Sequence, residues 1–389
     1  MSDDQQLMAI RTDAYADVCD TVSKICSGFP AAYWRGLEDR PKGEGYPEEF
    51  VAALEHAGIM AAMVPEEFGG VGLPLTAVAA IAATINATGC NGAVFVAQAH
   101  LIAIIASLAG DSTKKEILGK IANGKARLQT LAVSETGAGD DISQMTTTVR
   151  RTDTGLVLSG RKSRACNASV SSYIVVLARS DTAEGTALIV VDTAVAPSGK
   201  LVIDPFEEMN NDGGAAIQFD ELPLGTGHLL GQFGDGAKHL EELAVVYRIL
   251  VAAAAIGDGR FFSRRGVAYA NERVVFGNLI GKYQGIQFPL AKAQIELEAG
   301  NVQMLKAATL YDQGADASGA SMVAKHLAVE AAWAMADAAF TTHGGFAFAR
   351  EYDIERKWRD VRAARVAATS FKNELSRIAE NMLGLPRSY

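Results

Sequence analysis

Leu131-Ala132-Val133-Ser134-Glu135-Thr136-Gly137-Ala138-Gly139-Asp140-Asp141 is the stretch at which the character of this chain changes. A short apolar run with strand character enters a loop whose glycines let the backbone approach a ligand closely, and Ser134 adds a hydroxyl donor. The loop does not match the dinucleotide fingerprint GxGxxG. Upstream of it, from Asp3 to about Lys125, the pattern is helical. Pro47–Leu54 begins with a first-turn proline and acids, and Leu73–Cys90 and Ala93–Leu108 are alanine-rich and apolar nearly all round, as in buried helices. Downstream, Thr146–Arg151, Gly155–Ser159, Tyr173–Ala178, Ala187–Val191, Leu201–Pro205 and Ala216–Phe219 are short β-branched runs separated by Gly, Asp and Ser. These predict a small antiparallel β domain. After Gly236 the helical period returns in four long runs, Leu240–Ala270, Gln284–Gln313, Ser318–Phe340 and Ile354–Leu383, which predict an antiparallel four-helix bundle. The fold class is therefore α+β, mainly α. An N-terminal helical domain (1–127), a middle antiparallel β domain (128–235) and a C-terminal helical bundle (236–389) follow in order.

Composition narrows the function classes. The chain has 389 residues, 49% hydrophobic and 21% charged, too apolar for a disordered protein. Its apolar stretches, such as Ile249–Ile256, are too short to span a bilayer, so no membrane partner is expected. With 36 basic against 45 acidic residues and a net charge of −9, it lacks the basic footprint of a nucleic-acid binder. Arginines and helix N-termini can still bind phosphate on an acidic protein. Four cysteines without a CxxC pair exclude a zinc ribbon and a disulfide scaffold, and the six histidines show no HxxxH spacing, so no metal is expected. Met1–Gln6 has neither a basic nor an apolar leader segment, which suggests the cytoplasm.

Further motifs flank the loop. Pro65-Glu66-Glu67-Phe68-Gly69-Gly70 is a turn between helices, and Gly160-Arg161-Lys162 precedes Arg164-Ala165-Cys166. Arg273-Val274-Val275-Phe276-Gly277, followed by Ile280 and Gln284, interrupts the helical pattern; alone, its arginine reads as an ordinary helix C-terminal residue or as a pyrophosphate clamp. His343-Gly344-Gly345 and Arg359-Asp360 come later. In this order and spacing the segments resemble the acyl-CoA dehydrogenase family over almost the whole chain. Ser134–Asp141 is similar to its SEPGAGSD loop, and Arg273–Gly277 with Gln284 to its RxxFG…Q segment.

The resemblance implies an FAD-dependent oxidoreductase acting on an acyl-CoA. The cofactor would lie between the β domain and the bundle and reach a neighbouring subunit, so a homotetramer or homodimer is expected, or an assembly with a paralogous subunit. It places Val133, Ser134, Arg164, Cys166, Arg273, Phe276, Ile280, Gln284, Gly344, Gly345 and Ser370 against FAD, and Asp140 and Arg248 against the substrate. In such enzymes a base removes a proton from C2 of the thioester while flavin N5 takes a hydride from C3.

The departures concern mechanism. The family's usual glutamate, nine residues after the arginine of the RD pair, falls here on Ala368, whose methyl group takes no proton. The alternative position, just before an arginine on the first bundle helix, is Tyr247 ahead of Arg248; an ordinary tyrosine is a poor base at neutral pH. Glu374 lies six residues past Ala368 and on a regular helix faces elsewhere. Arg164 stands where an aromatic residue is usual; it can stack on the flavin, stabilise its reduced form, bind an acidic substrate tail or turn to solvent. Cys166 is either a redox thiol or a small buried hydrophobe. Thr136, Thr341 and Lys372 are further departures. Besides the dehydrogenase, a non-catalytic subunit and altered flavin chemistry (desulfination or hydroxylation) fit these changes.

Overall fold

The computed structural model describes residues 15–139, 141–181, 185–366 and 371–386. They follow the order helical, β, helical, and 57% of the chain is helical. By their internal contacts the residues divide into two compact units: Arg35–Leu73 with Ala93–Ala244, and Met1–Trp34 with Pro74–Gly92 and Val245–Tyr389.

The first unit is built on an eight-stranded sheet. Its strands are β1 (Leu128–Ala132), β2 (Thr148–Thr152), β3 (Gly155–Cys166), β4 (Tyr173–Ser180), β5 (Thr186–Asp192), β6 (Leu201–Pro205), β7 (Gly214–Leu224) and β8 (Leu229–Gly234). The order is β6-β7-β3-β2-β4-β5-β8, with β1 also paired to β4. Most pairings are antiparallel, but β1 and β2 both run parallel to β4. The register explains the mixture. β1 lies against Tyr173–Val176 and β2 against Arg179–Ser180, so the two are collinear pieces of one strand line. Residues 133–147 leave that line and return to it in the same direction, which no hairpin does.

β4 and β5 read as unbroken apolar runs because both their faces are buried. Side chains alternate across a strand. Tyr173, Val175, Leu177, Leu188 and Val190 join Leu101, Ile104 and Ile105 of helix α5 (Ala93–Leu108) and Ile117, Leu118 and Ile121 of α6 (Asp111–Ala122). Ile174, Val176, Ala178, Ile189 and Val191 join Val149, Leu158, Ile217 and Phe219 in a second core.

The helical unit contains α1 (Ala16–Ser27), α4 (Leu75–Ala87), most of α7 (Gly236–Glu272), α8 (Gln284–Asp312), α9 (Ser318–His343), α10 (Ile354–Ala364) and α11 (Phe371–Asn381). Five helices rather than four thus follow Gly236 among the described residues. α10 ends at Ala364 and closes with Val366 N–H bonded to Ala363 O, a tightened last turn, and α11 is described from Phe371 onward. Between α7 and α8 stand two residue pairs of strand, β9 (Val274–Val275) and β10 (Asn278–Leu279), where sequence suggested only a helix break. No described helix is long and apolar enough to cross a membrane.

Candidate functional site

In the helical unit the β9–β10 hairpin and the end of α9 meet at one cavity. The hairpin turns on Phe276 and Gly277, with φ of 50° and 74°. Positive φ at both central residues defines a type I′ turn, whose twist matches the two strands. The phenyl ring at that tip is 93% exposed. The hairpin's base is closed by Ile280 N–H on Arg273 O at 2.9 Å, and Tyr283 Oη donates to Val275 O at 3.1 Å. Across from it α9 ends at His343, and Gly344 takes φ 58°, ψ −134°, a region that a side chain disfavours strongly.

The cavity measures about 760 Å³ and is lined by Arg273, Phe276, Ile280, His343, Gly344, Gly345 and neighbouring apolar residues, Tyr269 and Phe346 among them. Its size is that of a small-molecule or cofactor site. Its walls are apolar, and Arg273 is the permanent cation among the described lining residues; it lies over the Phe346 ring at 5.8 Å. Five of the residues assigned to FAD by resemblance are therefore brought together. Gln284 is exposed, begins α8 and does not line the cavity.

His343 has both the helix-end position and a place in this wall. Its Nδ1–H donates to Ala339 O at 2.7 Å, and its ring stacks on Tyr269 at 4.3 Å. Burial pushes the imidazole below its ordinary pKa, so the ring is neutral at neutral pH.

In the sheet unit the excursion between β1 and β2 carries Ser134 exposed and Val133 half-buried. Glu135 closes its base. Its carboxylate accepts from Thr146 N at 2.7 Å, Thr146 Oγ1 at 2.6 Å, Thr147 N at 3.0 Å and Lys162 Nζ at 2.8 Å. Lys162 also donates to Val133 O at 3.1 Å, and Ser163 N to Ser134 O at 2.9 Å. Burial alone would raise the Glu135 carboxyl, but the Lys162 ammonium and the threonine donors bring it down to about 2. Burial pushes the Lys162 ammonium below its ordinary value against the pull of Glu135. Both residues stood inside quoted motifs, yet sequence gave neither a role; a lysine pointing inward from β3 becomes visible only once the strand register is known.

Arg164 is committed elsewhere in the same unit. Its Nε and Nη2 lie 2.9 and 2.8 Å from Glu208 Oε1, and Nη2 lies 3.5 Å from Asp212 Oδ2. Its Nη1 lies 3.4 Å from Cys166 Sγ. Burial pushes the Cys166 thiol up to about 11, which leaves it protonated at neutral pH.

Tyr247 is half-buried on α7, and Arg248 beside it is fully buried. Glu374, 2% exposed, lies 3.0 Å from Lys325 Nζ and 3.9 Å from Arg248 Nε. Another buried group precedes the Arg359-Asp360 pair and was not singled out from sequence: Lys357 Nζ meets Asp258 at 2.5 Å and Cys90 O at 3.1 Å, and Arg356 meets Asp353 at 2.6 Å and Gly89 O at 2.7 Å. Asp140, Ala368 and Ser370 lie outside the described residues. Among the described residues no three His, Cys, Asp or Glu side chains gather as metal ligands.

Residues 12–125, 130–221 and 234–383 match the N-terminal, middle and C-terminal domain models of acyl-CoA dehydrogenase. The chain is 31% identical over 358 residues to the acyl-CoA dehydrogenase FadE12 of Mycobacterium tuberculosis, covering 90% of this chain and 92% of that protein. It is 30% identical over 372 residues to a 3-(aryl)acrylate reductase of Clostridium sporogenes, covering 94% and 98%. The fold superimposes on the acyl-CoA dehydrogenase of Geobacillus kaustophilus with a TM-score of 0.87 at 23% identity, covering 96% and 98% of the two chains. With three successive domains matched and two relatives aligned over nearly their full lengths, the chain belongs to the acyl-CoA dehydrogenase family, whose members are flavin oxidoreductases.

Proposed function

We propose that the protein is an FAD-dependent oxidoreductase that oxidises an acyl-CoA thioester at C2–C3. The observation that carries this reading is the cavity of the helical unit, where Arg273, Phe276, Ile280, Gly344 and Gly345 converge. The donor set fits the cofactor. Arg273 supplies a fork of N–H donors matched to a pyrophosphate. Gly344 and Gly345 let a ligand backbone pass without side-chain interference, and the apolar walls suit aromatic rings. In the sheet unit the Glu135–Lys162 pair fixes the loop that carries the exposed Ser134 hydroxyl, the donor that the family resemblance assigns to the flavin ring. When bound, FAD supplies the acceptor for the hydride that leaves C3.

Removal of the C2 proton is where this chain departs from its family. Arg164 is no base: a guanidinium stays protonated, and here Glu208 and Asp212 hold it charged. Tyr247 is the remaining candidate named from sequence, through its phenolic oxygen. A second reading, a non-catalytic subunit working beside an active paralogue, is favoured by the alanine at position 368. It predicts a flavin that no acyl-CoA bleaches.

Arg273→Ala tests the assignment of the cavity without relying on turnover. Loss of a charge-assisted hydrogen-bond donor to the pyrophosphate should weaken FAD binding about ten- to hundredfold, read from the flavin retained after gel filtration and from fluorescence titration of the apoprotein. Unchanged FAD affinity would place the cofactor elsewhere.

A further inference from the structure

We infer that Cys26 and Cys90 form a reversible dithiol–disulfide pair, oxidised by hydrogen peroxide that enters a small cavity at the end of α1. Cys26 stands in the last turn of α1, and Cys90 follows α4 in the same helical unit. The fold brings the two thiols into hydrogen-bond contact with each other. Cys90 Sγ also lies 3.7 Å from Cys26 O and 3.8 Å from Phe29 O. Both cysteines are buried.

The backbone around the pair is held in place. Arg356 donates to Gly89 O at 2.7 Å, and Lys357 to Cys90 O at 3.1 Å. Phe29 N–H donates to Cys26 O at 2.9 Å as the chain leaves α1. Gly89, at φ 96°, lets the turn pack closely, since a Cβ there would stand 2.9 Å from the Phe261 ring. Two thiols already in contact can be bridged without the backbone movement that distant cysteines require.

A buried cysteine is ordinarily an inert, protonated thiol, as Cys166 is. The pair differs. The hydrogen bond from Cys26 brings the Cys90 thiol below its ordinary value, with the Lys357 ammonium helping, and Cys26 keeps its own proton more strongly through the same bond. The two titrate as one unit that gives up a first proton readily and holds the second. The thiolate so formed is the nucleophile in thiol oxidation. Access is through a cavity of about 360 Å³, lined by Cys26 with Ser23, Ser27, Thr88, Phe261 and Arg265 among others.

One peroxide accounts for both thiols. The thiolate sulfur attacks it, the O–O bond breaks and an S–O bond forms; the expelled hydroxide takes up the proton that the pair released and leaves as water. The second sulfur then displaces the sulfenic hydroxyl. The S–S bond forms, the S–O bond breaks, and the hydroxyl leaves as water with the second thiol's proton. The sulfurs lose two electrons and the peroxide is reduced to two waters.

Native full-length protein, treated with one equivalent of hydrogen peroxide, alkylated and digested, should yield the Cys26 and Cys90 peptides joined, two hydrogens lighter than their sum. Cys19 and Cys166 should be recovered alkylated, and dithiothreitol should restore both members of the pair. Cys26→Ala removes the thiol donor and should slow oxidation of Cys90 at least about tenfold at neutral pH, with an unchanged circular dichroism spectrum. Cys26→Ser, whose hydroxyl still donates, should retain part of the rate. The assignment is overturned if wild-type Cys26 and Cys90 stay separately alkylated, if either links to Cys19 or Cys166 instead, if the oxidation is not reversed by dithiothreitol, or if Cys90 in Cys26→Ala oxidises as fast as in wild type.

Discussion

Lys162→Met should lower the unfolding free energy by about 3–5 kcal/mol, because it leaves the Glu135 carboxylate buried without its cation. Both side chains are almost fully enclosed, at 0% and 5% exposure. Glu135 is also the knot of the loop, accepting from Thr146 and Thr147 at the point where the chain re-enters β2. Loss of the pair should therefore loosen the segment that carries Ser134 as well as destabilise the sheet unit. Chemical denaturation gives the first effect, and amide exchange across 134–147 the second. Adding Glu135→Gln should recover part of the loss by removing the stranded charge; a fully additive double variant would show that the two groups do not interact.

The same pair has a pH signature. The Glu135 carboxyl is held at about 2, against 4.5 in an unperturbed chain. The unfolded state therefore binds more protons between those values, so stability rises with pH there and is lost as the pH is lowered. The contribution is fully present above about pH 4.5 and fades toward pH 2. Relative to Glu135→Gln, wild type should lose its advantage within that window. A stability difference that stays constant down to pH 2 would contradict the assignment.

Glu374→Gln should cost the helical unit a similar amount, about 3–5 kcal/mol. The carboxylate sits between Lys325 and Arg248, both nearly inaccessible, and its removal leaves two buried cations without it. Burial already pushes the Lys325 ammonium below its ordinary value, with Glu374 opposing that shift. Without Glu374 the shift deepens, and the folded state sheds the Lys325 proton before the unfolded state does. Stability of the variant should therefore rise with pH more steeply than wild type below the unfolded lysine pKa near 10.5. Lys325→Met added to Glu374→Gln should restore part of the loss. Urea titrations at neutral and alkaline pH measure both, and equal slopes for variant and wild type would show that the cluster is not coupled.

The parts of the fold that were legible in sequence are those with a local signal. Apolar periodicity gave the long helices, and β-branched runs gave β4 and β5. Gly344, Gly345 and the Arg273–Gly277 segment, dispersed over some seventy residues of sequence, line one cavity, and only the family resemblance links them in sequence. What escaped lacked such a signal. Strand β3 runs on through Gly160 to Cys166, although Gly160 and the charges at Arg161, Lys162 and Arg164 make it look like a loop; Lys162 points inward to Glu135 and Arg164 outward to Glu208. The parallel pairing of β1 and β2 with β4 is a property of register. The interruption after Ala364 carries neither Gly nor Pro to announce it.

Arg164 shows the limit from the other side. Its position in the motif suggested a cation for the flavin or substrate, and nothing in the local sequence showed that Glu208 and Asp212, more than forty residues away, hold its charge. A long-range ion pair of this kind leaves no periodicity and no spacing rule to read.

The visible spectrum of the purified protein, followed through anaerobic titration with a panel of acyl-CoA thioesters, tests the proposed function most directly. It should show the bands of bound FAD, and at least one thioester should bleach them as the cofactor takes up the hydride from C3. A colourless protein that takes up no FAD, or a flavin that no thioester bleaches, would contradict it.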